Sequence, residues 1–135
     1  MPMLFGTLQL STSAPMELID ITARIQELVS AQGLEAGICT LFNPHTTAGV
    51  TINEGADPDV QDDLIGALRR IVPRDYPYKH REGNSPSHVM ASLTGSSLAV
   101  PFVDGSLRLG TWQRIFFCEY DGPRQRSLNW YIQTG

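Results

Sequence analysis

The sequence predicts an α+β fold, a mainly antiparallel, sandwich-like β-sheet with two longer helices and one short helix. Runs rich in β-branched and aromatic residues recur along the 135 residues. They are interspersed with segments of helical periodicity, without a regular βαβ rhythm. Asp-Gly pairs at 104–105 and 121–122 are typical of tight turns between antiparallel strands. No repeat or long linker interrupts the chain, so we expect one domain over residues 1–135.

Three segments have the spacing and the end signals of helices. In residues 15–33 apolar side chains recur at helical spacing and a glycine follows the last of them. A second helix is predicted over residues 57–72, with an Asp-Pro pair at its start and a proline after its end. Residues 85–95 predict the short third helix, which a glycine ends.

The other regular segments are predicted strands, because they are rich in Val, Ile, Thr and aromatic residues and are bounded by turn residues. We expect the last three strands to form a meander. The predicted strands span residues 3–12, 36–43, 47–54, 97–103, 106–120 and 124–134.

The charge of the chain, the length of its apolar runs and its cysteines argue against several classes of protein. A net charge of −4 and a pI near 5.2 leave no surplus of Lys and Arg for neutralising a nucleic acid. No apolar segment approaches the roughly 18 residues of a membrane span, and no secretory signal precedes the first strand. Cys39 and Cys118 lie in apolar runs, which is typical of buried free thiols in a reducing compartment. We therefore expect a cytoplasmic protein without nucleic-acid or membrane partners.

The chain has three histidines, each in a turn-like or loop segment. His45 joins two predicted strands, His80 lies in the proline-containing loop 73–88, and His88 is in the first turn of the short helix. Neutral imidazoles are good ligands for zinc and related divalent ions, and three of them leave a fourth position open for water or substrate. The histidines therefore predict a divalent metal site. The alternative is that each is a structural histidine with local hydrogen bonds.

Glu54 is a candidate for catalysis because it ends a predicted strand just before Gly55, where the chain can turn. Its carboxylate could ligate a metal, orient an imidazole or act as a general base beside His45. The alternative is a solvated carboxylate at the end of a strand.

Two segments offer groups that bind anions. The short helix beginning at Ser85 has free backbone N–H groups and the positive end of a helix dipole. Trp112, Gln113 and Arg114 place an indole, an amide and a guanidinium close together, and the small polar residue Ser97 follows the short helix. Alternatively, Trp112 is a core residue and Arg114 a solvated one.

Three motifs in this order resemble the YjbQ-like family, described as secondary thiamine-phosphate synthases. They are HTTA at residues 45–48, NEGADP at 53–58 and GTWQ at 110–113, and the similarity runs from about residue 37 to the C-terminus. The resemblance implies a compact α+β subunit that forms a homotrimer. It also implies a pocket with His45, Glu54, His80 and His88 as metal or catalytic residues, lined by Asn84, Ser97, Trp112, Gln113 and Arg114.

The function expected on these grounds is that of a metal-dependent enzyme acting on a small phosphorylated substrate. Zinc is the expected metal, and magnesium is an option where the substrate is a diphosphate. The alternative is a non-catalytic trimeric binding module with a structural metal or an anion site. Large apolar side chains in the late strands predict surface left over for a subunit interface; they are Trp112, Phe116, Phe117 and Trp130.

Overall fold

A computed structural model describes residues 3–135 of the chain, with eight strands and three helices. The helices are α1 (Thr22–Ala31), α2 (Pro58–Ile71) and α3 (Ser85–Thr94). The strands are β1 (Leu4–Ser11), β2 (Glu17–Asp20), β3 (Ala36–Phe42), β4 (Ala48–Glu54), β5 (Ser97–Val103), β6 (Ser106–Leu107), β7 (Gln113–Glu119) and β8 (Gln125–Gln133). Within the described part of the chain, no helix is long and apolar enough to cross a membrane.

The strands form two antiparallel sheets. The five-stranded sheet has the order β1-β8-β3-β5-β6, and the three-stranded sheet has the order β2-β7-β4. Residues from both sheets and from α1 share one buried apolar cluster, so the two sheets enclose the main core. This arrangement confirms the predicted α+β fold with a sandwich-like antiparallel sheet.

Strand β7 is buried on both faces because a second core lies behind it. Ile115 and Phe117 point into the core between the sheets. Phe116 and Cys118 point the other way, into a cluster that includes residues of α2 and α3. Successive side chains of a strand alternate between faces, so a strand covered on both sides has a continuous apolar sequence.

The prediction of one helix over residues 15–33 is wrong in its first half. Residues Glu17–Asp20 form β2, which pairs with the edge of β7, and α1 begins only at Thr22. The Glu17 carboxylate accepts hydrogen bonds from the backbone N–H groups of Ser13 and Ala14, which turns the chain ahead of the strand. A short apolar segment is compatible with both the helical and the strand periodicity. Here the pairing of Glu17–Asp20 with β7 makes the segment a strand.

The predicted meander is also wrong. Residues 106–120 do not form one strand, because the chain leaves β6 after Leu107, turns at Gly110 and enters β7 in the other sheet. The chain then returns through β8, which lies between β1 and β3 in the five-stranded sheet. Only β5 and β6 form the hairpin that the turn at Asp104-Gly105 predicts.

The two cysteines are buried free thiols, as predicted. Burial raises the pKa of Cys39 to about 11. It raises the pKa of Cys118 to about 12. Both side chains are therefore protonated near neutral pH and act as small apolar core residues.

A buried ion pair joins the two sheets at one end of the main core. Glu119 of β7 is fully buried and accepts hydrogen bonds from Nε and Nη2 of Arg126 on β8. The same carboxylate accepts from the Thr12 hydroxyl and from the backbone N–H of Asp121. Arg126 also donates to the carbonyl and the hydroxyl of Thr47. The pair thus ties together four separate segments of the chain.

The partners of Glu119 keep it ionised. Burial alone raises the pKa of this carboxyl group, but hydrogen bonds from Arg126, the Asp121 N–H and Thr12 outweigh burial and hold the pKa below its ordinary value of 4.5. A carboxylate whose pKa is lowered by folding stabilises the folded state at pH values above the pKa that it has in the unfolded chain. That contribution is lost as the pH falls through the lower, folded-state value.

Removing one member of this pair should be strongly destabilising. We expect Arg126→Met to lower the free energy of unfolding by about 3–5 kcal/mol, because it leaves the Glu119 carboxylate buried without a counter-charge. Urea denaturation at pH 7 measures the change.

The matched control is Arg124→Met, which removes a half-exposed arginine that pairs with Asp121. Exposed ion pairs contribute only about 0–1 kcal/mol, so this variant should stay close to the wild type. Equal losses in the two variants would contradict the role given to the buried pair.

Candidate active site

All three histidines line one open cavity of about 410 Å³. The cavity lies at the end of the sandwich where three connections meet: β3 to β4, the loop before α3, and the turn from β7 to β8. Its volume is within the range of small-molecule sites. The lining residues are Pro44, His45, Thr46, Thr47, His80, Glu82, Asn84, His88, Asp121, Arg124 and Arg126.

Asn43 shapes the connection that carries His45. It is buried, and its side-chain amide donates to the carbonyls of His45 and Ala48 while its Oδ1 accepts from the His45 backbone N–H. Its own backbone N–H donates to the carbonyl of Ser96. An Asn side chain that bonds to nearby backbone groups fixes a turn. The chain therefore crosses from one sheet to the other in a single conformation.

The His45 ring is held by the backbone of β8. Its Nε2 lies 2.9 Å from the backbone nitrogen and 3.1 Å from the carbonyl oxygen of Ser127. Strand β3 pairs with β8 only as far as Phe42 opposite Asn129, so the imidazole bonds to backbone groups that β3 no longer covers. A neutral Nε2 can accept from the N–H, and a protonated Nε2 can donate to the carbonyl.

The environment of His45 favours the neutral ring. Burial and the positive charge of Arg126 lower its pKa from the usual 6.5, against the opposing effects of the Ser127 hydrogen bond and the Glu119 charge. The imidazole is therefore mostly uncharged at pH 7, with one nitrogen protonated. Because Nε2 faces Ser127, Nδ1 is the nitrogen left for a ligand.

His80 and His88 form an edge-to-face pair in the cavity lining. Their ring centres are 5.3 Å apart and the planes are nearly perpendicular, at 83°. His88 is held by α3, which is fixed to the sheet by a hydrogen bond from the Ser87 hydroxyl to the Tyr120 carbonyl. His80 lies in the loop before the helix, with Glu82 4.0 Å from its Nε2.

The predicted three-histidine metal site fits only in part. Two imidazoles on one tetrahedral zinc have ring centres roughly 5 Å apart, because each zinc–nitrogen bond is about 2.1 Å. The pair of His80 and His88 has this separation. However, no group of three His, Cys, Asp or Glu side chains within residues 3–135 has a ligating arrangement. His45 lines the same cavity without completing a three-ligand set.

Two arginines give the cavity charged groups that were not predicted. Arg126 lies at the floor, where its hydrogen bonds within the described chain come from Nε and Nη2. Arg124 lies at the rim, 3.0 Å from the carboxylate of Asp121. One sequence signal could have indicated them: Glu119 follows Ile115 and Phe117 at the inward positions of an apolar strand, and a buried acid needs a basic partner.

Asn84 contributes a polar group that is not satisfied by the protein. Its Nδ2 donates to Oδ2 of Asp121 at 3.0 Å, which fixes the orientation of the amide. Its Oδ1 is buried and has no hydrogen-bond partner within the described residues. Such an acceptor costs about 1–3 kcal/mol when left unpaired, so this oxygen is available to accept a hydrogen bond from a bound ligand.

Glu54 and the segment around Arg114 do not lie near the histidines. Ala48 is opposite Glu119 at the cavity end of the β4–β7 pair, whereas Glu54 is opposite Gln113 at the other end. Six residues of extended strand separate the two ends by roughly 20 Å. Within one chain, the prediction that Glu54 and Arg114 share a pocket with His45 is therefore wrong.

The far end of the β4–β7 pair has its own local structure. The Arg114 side chain lies over Gly55, where a Cβ atom would come within 2.1 Å of its Cγ. The side-chain oxygen of Gln113 accepts from the Gly110 N–H at 2.8 Å. Trp112 is 63% exposed, so it is not a core residue. The GTWQ motif thus forms the turn that leads into β7, whose first residue is Gln113.

Ser85 and Ser97 lie near the cavity but do not line it. Ser85 borders a shallow apolar depression beside His80 and His88. Ser97 begins β5 opposite Phe42 and faces away from the core. Among the predicted anion-binding residues, Asn84 alone lines the histidine cavity.

The chain is similar to proteins of one family over nearly its whole length. The family model "UPF0047 protein YjbQ-like" matches residues 6–135. A UPF0047 protein of Methanocaldococcus jannaschii is 47% identical over 120 residues, which cover 89% of this chain and 87% of that protein. The UPF0047 protein YugU of Bacillus subtilis is 43% identical over 122 residues, covering 90% and 92%.

Solved structures agree with these matches. A YjbQ/UPF0047 family protein from Clostridium acetobutylicum has a TM-score of 0.92 and 46% identity, covering 95% of this chain and 99% of that one. A protein from Aeropyrum pernix has a TM-score of 0.91 and 34% identity, covering 98% and 99%. The chain therefore belongs to the YjbQ-like UPF0047 family.

Proposed function

We propose that the protein is a cytoplasmic enzyme that acts on a small phosphorylated substrate in the histidine cavity. Formation of thiamine phosphate from a pyrimidine methyl diphosphate and a thiazole phosphate is the reaction to test first, because the sequence resemblance implies it. The cytoplasmic location is supported by two free cysteines, which are typical of a reducing compartment. The alternative is a binding module without catalysis, and the experiments below distinguish the two.

The observation that carries the proposal is a buried arginine at the floor of a cavity ringed by histidines. Arg126 is 6% exposed and is held by Glu119 and Thr47, so its guanidinium has little freedom. Its Nη1 makes no hydrogen bond within the described residues. This atom is not one of the fully buried polar atoms that lack a partner, so it remains accessible from the cavity. A fixed guanidinium with free N–H groups binds phosphate oxygens with defined geometry.

His45 is the residue placed to move a proton. Its Nε2 is anchored to Ser127, and Nδ1 of the neutral ring makes no hydrogen bond within the described residues. When Nε2 accepts from the Ser127 N–H, Nδ1 carries the proton and can donate it to a leaving oxygen. When Nε2 donates to the Ser127 carbonyl, Nδ1 can accept a proton. The backbone of one residue therefore supports either state.

A divalent ion fits the proposal through the pair of His80 and His88. Zinc would be held there and would supply positive charge to the phosphate oxygens, whereas magnesium, which prefers oxygen ligands, would be held mainly by the oxygens of a diphosphate substrate. Side chains of this chain supply the other functions needed for catalysis. Arg126 orients the anion, Arg124 adds charge at the rim, and His45 exchanges the proton.

We also propose that the chain forms a homotrimer through the outer face of the five-stranded sheet. Phe5 is 72% exposed, and Ile38 and Phe42 are each 45% exposed on that face. The outward-facing positions of its four longer strands include no Asp, Glu, Lys or Arg. Charged residues are depleted at the centre of protein–protein interfaces. Of the late-strand side chains expected to leave surface for an interface, Phe116 and Phe117 are fully buried within the subunit, Trp130 packs partly against the core, and Trp112 is 63% exposed.

The first test measures anion binding. We expect Arg124→Gln to weaken the binding of inorganic phosphate about tenfold, because it removes one charge-assisted hydrogen bond at the rim. Isothermal titration calorimetry at low salt gives the dissociation constants. Arg114→Gln is the matched control and should bind phosphate like the wild type. A loss only in the control would contradict the histidine cavity as the anion site.

The second test measures catalysis. We expect His45→Gln to lower the rate of thiamine phosphate formation about a hundredfold, because glutamine cannot transfer a proton. Activity should also fall on chelation and return with zinc or magnesium. Glu54→Gln is the control at the distant end of β4 and should retain its activity. Wild-type protein that forms no product, but still binds phosphate, would favour the binding-module alternative.

The third test measures assembly. Sedimentation velocity at micromolar concentration should give a trimer for the wild type. Ile38→Lys should dissociate it, because a charge on the outer sheet face has no partner there. Ile71→Lys places the same change on an exposed position of α2 and should leave the trimer intact. A monomeric wild type would refute the proposed assembly.

A further inference from the structure

A second cavity adjoins the first at the histidines. It has a volume of about 330 Å³ and is lined by His45, Thr46, His88, Ala91, Ser92 and Ser96. His45, Thr46 and His88 also line the first cavity. The two spaces therefore adjoin at His45, Thr46 and His88.

The two cavities differ in charge. The first is lined by two acidic and two basic side chains, Glu82, Asp121, Arg124 and Arg126. No Asp, Glu, Lys or Arg lines the second cavity, whose polar groups are hydroxyls and the shared imidazoles. An ionised group loses its hydration on entering a site and needs a counter-charge. A charged group is therefore accommodated only in the first cavity, where an anion can lie against Arg124 and Arg126, and an uncharged group is favoured in the second.

Helix α3 runs along both cavities and gives their spacing. Asn84, His88 and Ser92 follow each other at intervals of four residues, which places them on one side of the helix. Asn84 lines the first cavity, Ser92 lines the second, and His88 lines both. With a rise of 1.5 Å per residue, the span from Asn84 to Ser92 is about 12 Å, with His88 halfway along it.

We propose that the substrate has two parts: a phosphate group bound in the first cavity and a small uncharged organic group bound in the second. The junction of the two parts then lies beside His45 and His88. This inference rests on the proposed function, because it assigns the anion to the cavity of Arg126. It adds a binding site for the organic part, formed by Ala91, Ser92 and Ser96.

A series of phosphate esters tests the second cavity. The probes are inorganic phosphate, methyl phosphate and n-propyl phosphate, and calorimetry gives their dissociation constants. We expect the wild type to bind n-propyl phosphate more tightly than methyl phosphate, by up to roughly fourfold for each added methylene, the gain for full burial. Ser96→Leu should abolish this gain by filling the cavity while leaving inorganic phosphate binding unchanged.

The matched control is Ser106→Leu, the same change at an exposed serine in the β5–β6 hairpin. The Ser106→Leu variant should still bind n-propyl phosphate more tightly than methyl phosphate, by the same factor as the wild type. Equal affinities of the wild type for the three probes would overturn the inference. A Ser96→Leu variant that still binds n-propyl phosphate more tightly than methyl phosphate would also overturn it, as would one that loses as much affinity for inorganic phosphate as for n-propyl phosphate. Failure of inorganic phosphate to bind the wild type would instead overturn the proposed function, and the inference with it.

Discussion

The structure depends on the buried ion pair between Glu119 and Arg126. A carboxylate and a guanidinium can be buried together only if each finds enough hydrogen bonds, and here Thr12, Thr47 and Asp121 provide the rest. These partners come from the end of β1, the β3–β4 connection and the β7–β8 turn. The requirement to satisfy two charges therefore fixes two of the three segments that form the cavity, the β3–β4 connection and the β7–β8 turn. The same guanidinium is then in place at the cavity floor.

The cavity combines a rigid base with less constrained walls. His45 is held between Asn43 and the backbone of Ser127, so it has a defined position relative to both sheets. His88 is held by a helix, whereas His80 lies on a loop with an exposed side chain. Functional groups on loops that a rigid scaffold positions are common in enzymes. In this chain the scaffold fixes His45 and Arg126, the residues proposed for proton transfer and anion binding, and the loop adds the second histidine of the pair.

Strand direction explains why the motifs in the sequence do not all contribute to one pocket. HTTA and the NEGADP segment are neighbours in sequence, but they lie at opposite ends of β4, so the length of this strand separates His45 from Glu54. The GTWQ turn is next to Glu54 because β7 runs antiparallel to β4. Residues 119–126, at the other end of β7, are next to His45 for the same reason. A motif therefore indicates which residues matter without indicating which of them meet.

The sequence by itself determined the local features. Periodicity and turn residues predicted α2, α3, the hairpin at residues 104–105 and the antiparallel α+β class, because these depend on neighbours a few residues apart. Apolar surroundings predicted the buried thiols of Cys39 and Cys118.

Only the tertiary structure decided which strands pair and which charges meet. Strand β2 exists because the edge of β7 accepts it, and Arg126 is a cavity residue because Glu119 lies opposite it in the other sheet. Such contacts join residues far apart in sequence, whose meeting depends on the packing of the whole chain.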